Sequence, residues 1–263
     1  MEHETSNHGL RVIVAGLSIL LLPVFSRAEL APDSYCQLTV QIQSKELDYL
    51  GKVDILTQKD CEDKDCFKWF CSDTGYYLSQ RVAMQKELAD AKAAAFTAAG
   101  TTAKDYAAFQ DTIAGYLEAN PEVKASLDTL ASQINQLKDK LRMPCYCLLT
   151  IAHAKQNLAN TSEHIDLVRQ YSNDPQALKE QEQAKRKEWD AKIEALFAAF
   201  DTTGQEYLLF MAKNGPALKP YLDKHPAIKK AIDDLSGQVV ALLRQCEELR
   251  DSIVKAPGAG LPK

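Results

Sequence analysis

Near the end of the chain the apolar positions Ile228, Ile232, Leu235, Val239, Leu242, Cys246, Leu249 and Ile253 recur at alternating intervals of four and three residues. That spacing lays a single apolar seam along a helix. Val123, Leu127, Leu130, Ile134, Leu137 and Leu141 form the same kind of seam earlier in the chain. Both seams carry a start signal. Asn120-Pro121 supplies a capping side chain followed by Pro at the first helical position, and His225-Pro226 keeps the Pro. A shorter helix is expected before each seam, carrying Tyr106, Phe109 and Ile113 in one case and Tyr207 and Phe210 in the other. The Ala- and Glu-rich stretches 76–98 and 175–199 consist of strong helix formers, and Asp174-Pro175 opens the second.

These elements belong to a longer self-similarity. Residues 116–134 (YLEANPEVKASLDTLASQI) and 221–239 (YLDKHPAIKKAIDDLSGQV) repeat Tyr, Leu, an acid, Pro, Lys, Asp and Leu in register. Phe96, Thr101, Thr102, Asp105, Tyr106 and Phe109 face Phe197, Thr202, Thr203, Glu206, Tyr207 and Phe210. Tyr35-Cys36-Gln37-Leu38-Thr39-Val40 faces Tyr146-Cys147-Leu148-Leu149-Thr150-Ile151. The spacing shrinks between the last match and the one before it because the first copy holds extra residues around KDCEDKDCFKWFC. Insertions between shared elements map to loops. Residues 59–75 are therefore expected as a Cys-rich surface excursion between the first and second helices of copy one.

The opening element of each copy is ambiguous taken alone. Cys36, Leu38, Val40 and Ile42 alternate with Gln37, Thr39, Gln41 and Gln43, which is a strand pattern. The repeat partner does not alternate and places Cys147, Ile151, Ala154 and Leu158 on one helical face, so both segments are read as helices. The expectation is an all-α chain of two tandem, diverged up-down four-helix-bundle-like repeats, 29–143 and 144–254, with a disordered Pro/Gly tail at 255–263.

The N-terminus departs from this pattern. An uncharged apolar run from Val12 to Phe25 follows Arg11 and precedes Ser26-Arg27-Ala28, the layout of a signal peptide cleaved after residue 28. The run is shorter than the roughly 18 to 20 residues that span a bilayer. Glu2, Glu4, Arg11 and Arg27 cancel, so the mature chain keeps the net charge of −5. With no basic stripe, a nucleic-acid partner is excluded. No later apolar run reaches bilayer length, so no stable membrane span is expected after cleavage. The mature protein is placed in the periplasm or outside the cell.

Export changes how the seven cysteines are read, because disulfides persist there. Bridges Cys36–Cys145 and Cys147–Cys246 would tie the ends of each bundle together. Two of Cys61, Cys66 and Cys71 would pair within the insert and one would remain odd, available for an intermolecular bond. Cys246 has a plainer reading as a buried thiol, because it holds the seam position of Leu141. Cys145, Cys147 and His153 form a candidate set for a soft metal such as copper or zinc. The aromatic cluster Phe67, Trp69, Phe70, Tyr76 and Tyr77 is read either as bundle cover or as a partner-binding surface.

Other motifs are bland. Asp73-Thr74-Gly75 and Asp201-Thr202-Thr203-Gly204 are turns, Asn160-Thr161-Ser162 is a chance glycosylation match, and residues 179–189 are a solvated helix face. No catalytic set emerges and no cofactor is implied. The function expected is that of a non-enzymatic interaction or scaffold protein of the bacterial envelope or extracellular space, binding a protein or other envelope macromolecule. A periplasmic thiol- or metal-binding protein is the alternative.

Overall fold

The computed structural model describes residues 30–110 and 112–255; the segment 1–28, expected as a signal peptide, and the expected tail from 256 onward lie outside them. Among the described residues there are only helices: α1 Pro32–Glu62, α2 Lys64–Ser72, α3 Gly75–Ala98, α4 Ala103–Gln110, α5 Ala114–Ala119, α6 Pro121–Gln170, α7 Pro175–Ala199, α8 Gly204–Lys224 and α9 Pro226–Lys255. None of them is long and apolar enough to cross a membrane.

The alternation at 36–43 resolves as helix. Tyr35, Leu38, Thr39 and Ile42 are all buried, which is the i, i+3, i+4, i+7 face of α1. The junction expected at 143/144 carries no break, since α6 runs through it with Pro144 inside. A proline there forgoes one backbone hydrogen bond and leaves the helix otherwise continuous.

The chain divides into two compact units, one of residues up to Asp48 with Glu87–Ile134, the other of Tyr49–Lys86 with Asn135 onward. The core of the first holds Tyr35, Cys36, Ile113 and Leu127, with Tyr106 and Phe109 packed against them. In the second unit the core gathers Phe67, Phe70, Tyr77, Leu148, Ile151 and Phe197 among others.

The same local contacts occur inside each unit. In the first, the Thr39 hydroxyl meets the Tyr106 hydroxyl at 2.9 Å and bonds the Tyr35 carbonyl at 2.8 Å. In the second, Thr150 meets Tyr207 at 3.0 Å and bonds the Tyr146 carbonyl at 2.8 Å. Tyr35 stacks on Tyr106, and Tyr146 on Tyr207. Helix ends match as well. Past α3, Gly100 takes φ 64, and past α7, Asp201 takes φ 55, the left-handed conformation that Gly and Asp tolerate. The N–H groups of Thr101 and Thr202 then close back on the carbonyls of Phe96 and Phe197. Thr102 caps the Asp105 N–H, and Thr203 caps that of Glu206.

The insert corrects its expectation. Residues 64–72 are helix α2, capped by Asp63 Oδ1, which accepts the N–H groups of Asp65 and Cys66 at 2.9 Å each. Phe67 and Phe70, three residues apart, face inward and are buried. Covering two phenylalanines is worth roughly 3 to 6 kcal/mol, which explains why the segment folds onto the core instead of looping out.

Candidate functional site

The cysteines are free thiols in this structure. Cys145 sits inside continuous α6 and not past the end of a fourth helix, so the helix-end geometry that would pair it with Cys36 is absent. Its neighbours are the Thr57 hydroxyl, 3.8 Å from Sγ, and through Thr57 the Tyr77 hydroxyl at 3.0 Å. Burial raises the Cys145 and Cys61 thiols and pushes Cys147 up to about 12, so these sulfurs stay protonated and poorly nucleophilic. Burial likewise raises the Cys66 and Cys71 thiols of α2.

The set Cys145, Cys147 and His153 does not assemble. Two residues along a helix turn side chains about 200° apart, and six turn them about 240° apart. The His153 ring instead lies 5.4 Å from Phe197 and 5.9 Å from Tyr207, and burial lowers its pKa. Among the described residues no three His, Cys, Asp or Glu side chains converge as metal ligands.

A thiol, a histidine and a carboxylate do meet elsewhere, among α6, α7 and α9. Cys246 Sγ lies 3.6 Å from His164 Nδ1, and His164 Nε2 lies 2.8 Å from Glu182 Oε1. Arg250 also binds Glu182. With Nε2–H donated to Glu182, Nδ1 is left to accept the thiol proton, which is the order of nucleophile, base and orienting acid. Two features take catalysis away from it. Burial raises the Cys246 thiol, and the cysteine lies mid-helix, where neighbouring N–H groups are spent on α9 itself and none is aimed at an oxyanion. The cluster therefore clamps three helices together. No sequence spacing announces it, since its members come from three separate helices.

The aromatic cluster splits in two, correcting its reading as one surface. Phe67, Phe70 and Tyr77 are 7%, 1% and 1% exposed and belong to the core. Trp69 and Tyr76 are 50% and 46% exposed and meet edge to face, ring centroids 5.1 Å apart. Helix α3, which carries Tyr76, is tied to the end of α7. Arg81, buried on α3, donates to the Ala199 carbonyl at 3.0 Å and to Asp201 at 2.7 Å, while its guanidinium lies over the Phe200 ring. Gln85 adds bonds to Ala198 and Asp201, and the Tyr49 hydroxyl donates to the same carboxylate. These bonds occupy carbonyls that the end of α7 leaves without helical partners.

Helix α3 also walls a groove of about 740 Å³ that α6 and α7 complete. Its surfaces come from Leu78, Val82, Ala83, Ala152, Ala195 and Leu196, and its charged lining residues are Lys86, Lys155 and Lys192. One further buried carboxyl stands out on α1. Asp60 is 6% exposed, its Oδ2 has no hydrogen-bond partner, and burial pushes its pKa up to about 6. Asp73 Oδ1 accepts the Gly75 N–H at 2.8 Å, the turn that its sequence suggested. Compared with known proteins, the chain matches no family model, no curated protein and no solved structure.

Proposed function

We propose that this chain is an exported, non-enzymatic interaction protein of the bacterial envelope or extracellular space, built of two tandem diverged four-helix repeats, which grips a protein or other envelope macromolecule through Trp69 and Tyr76. The repeat reading is supported by the paired Thr39–Tyr106 and Thr150–Tyr207 contacts and by left-handed residues at matching helix ends. Export rests on the signal-like segment 1–28.

The observation that carries the binding role is the exposure of a Trp–Tyr pair whose companions on the same corner are buried. Large aromatic rings held rigid offer contact area at a small entropic cost, and Trp and Tyr are enriched among residues that dominate interfaces. Burying Phe67, Phe70 and Tyr77 fixes the corner while leaving these two rings to the outside.

The test compares the chain with its Trp69→Ala/Tyr76→Ala variant in recovery of cross-linked partners from the producing cell. Truncating an interface anchor costs about 2 kcal/mol or more, or about 30-fold in affinity. The expected outcome is one partner recovered by the unaltered protein and lost by the variant at unchanged helicity. Equal recovery by both proteins refutes the assignment.

A further inference from the structure

Lys155 lies in a groove that has no acid to answer it. Its ammonium bonds the main-chain carbonyls of Cys71 and Ser72, each at 2.8 Å. An ammonium has three donors, so one remains. Among the described residues no carboxylate stands within ion-pair distance of it; Asp73 acts on it only through space, its own Oδ1 being turned to the Gly75 N–H. Burial lowers the Lys155 pKa, so the environment penalises the charge it carries. Charges withdrawn from water are normally paired.

The surroundings sharpen the point. No Asp or Glu lines the groove, although acids outnumber bases in the chain by 36 to 31. Lys192 is answered from outside the lining by Glu188 at 2.7 Å. The walls are aliphatic and Val82 stands 52% exposed among them. From Thr74 to Lys86 the groove follows α3 for about 18 Å, at about 1.5 Å per residue. A helix about 10 Å across is a poor occupant for 740 Å³, whereas volumes of roughly 300 to 1,000 Å³ hold small molecules.

We infer that the groove between α3, α6 and α7 binds a straight-chain fatty acid, the alkyl chain lying along Leu78, Val82, Ala83 and Ala195 and the carboxylate accepting the remaining Lys155 Nζ–H. Head and tail are thus recognised by different parts of the site. This function is separate from partner binding at Trp69 and Tyr76.

The experiment displaces a fluorescent fatty-acid probe, dansyl-undecanoate, from the purified chain with dodecanoate or with the uncharged dodecanol. Lys155→Met keeps the stem and removes the charge, and Ala195→Trp fills the groove at an exposed position. The expected result is saturable one-to-one binding of the probe. Lys155→Met should weaken dodecanoate by at least tenfold with dodecanol unchanged, and Ala195→Trp should weaken both. Three results overturn the inference: no saturable binding by the unaltered chain, dodecanoate affinity unchanged in Lys155→Met, or equal loss of both competitors in that variant with a lowered melting temperature. The last would make Lys155 only a cap for the end of α2.

Discussion

The two units share a motif and differ in what surrounds it. In the first, Tyr35 stacks on Tyr106 and lies tilted against Phe109, beside Thr39. In the second, Tyr146 stacks on both Tyr207 and Phe210 beside Thr150, and α2 and the start of α3 add Phe67, Phe70, Tyr77 and buried Arg81. The Trp69–Tyr76 corner, the lysine-lined groove and the orphaned Asp60 carboxyl all lie in the second unit. The shared motif holds helices together, while the residues peculiar to the second unit supply surfaces and charges that packing alone does not require.

Breaking that difference should produce the largest effects. Arg81→Met removes the buried cation that closes the end of α7 and should cost roughly 3 kcal/mol, read as a lower urea midpoint, because two charge-assisted hydrogen bonds go, the Ala199 carbonyl losing its donor and Asp201 keeping those from Tyr49 and Gln85. Asp60→Asn should act in the opposite direction. Since its folded pKa of about 6 exceeds the ordinary 3.8, the native state holds the proton more tightly, and stability should decline as pH rises from about 4 through 6. The Asn variant should flatten that decline and gain about 3 kcal/mol at pH 7, measured by denaturation at several pH values. An unchanged pH profile would mean that the carboxyl is solvated.

The shared motif should respond evenly. Tyr106→Phe and Tyr207→Phe each delete one hydroxyl contact to a threonine, and each should cost about 1 kcal/mol. A several-fold inequality between them would argue that the two clusters are not equivalent. The caps should respond evenly as well. Thr203 and Glu206 form a complete capping box, and Thr102 caps the Asp105 N–H while its hydroxyl donates to the Asp105 carboxylate, so Thr203→Ala and Thr102→Ala should each cost about 1 kcal/mol.

Helices with long seams were legible because 3.6-residue periodicity survives over many turns, as in α9. The opening of α1 was legible only through its repeat partner, since its local alternation points to a strand. Helix α2 was hidden because an extra segment between elements shared by the two copies reads as a loop. Its signals were present nonetheless: Asp63 as cap, with Phe67 and Phe70 one turn apart. The turn at Asp201 was visible, but not that Asp201 would receive Arg81, Gln85 and Tyr49, residues more than a hundred positions away. The Cys246–His164–Glu182 contacts and the Lys155 groove were equally hidden, because each depends on which faces of separate helices meet.

The proposed binding role of the Trp69–Tyr76 corner is tested most directly by photo-cross-linking in the producing cell. A photoreactive phenylalanine analogue is placed in turn at residues 69, 76, 208 and 240, all of them exposed apolar positions. Cross-links to one partner from positions 69 and 76, with none from 208 or 240, is the predicted result. Cross-links arising chiefly from Leu208 or Val240 would contradict it and move the binding surface to α8 and α9.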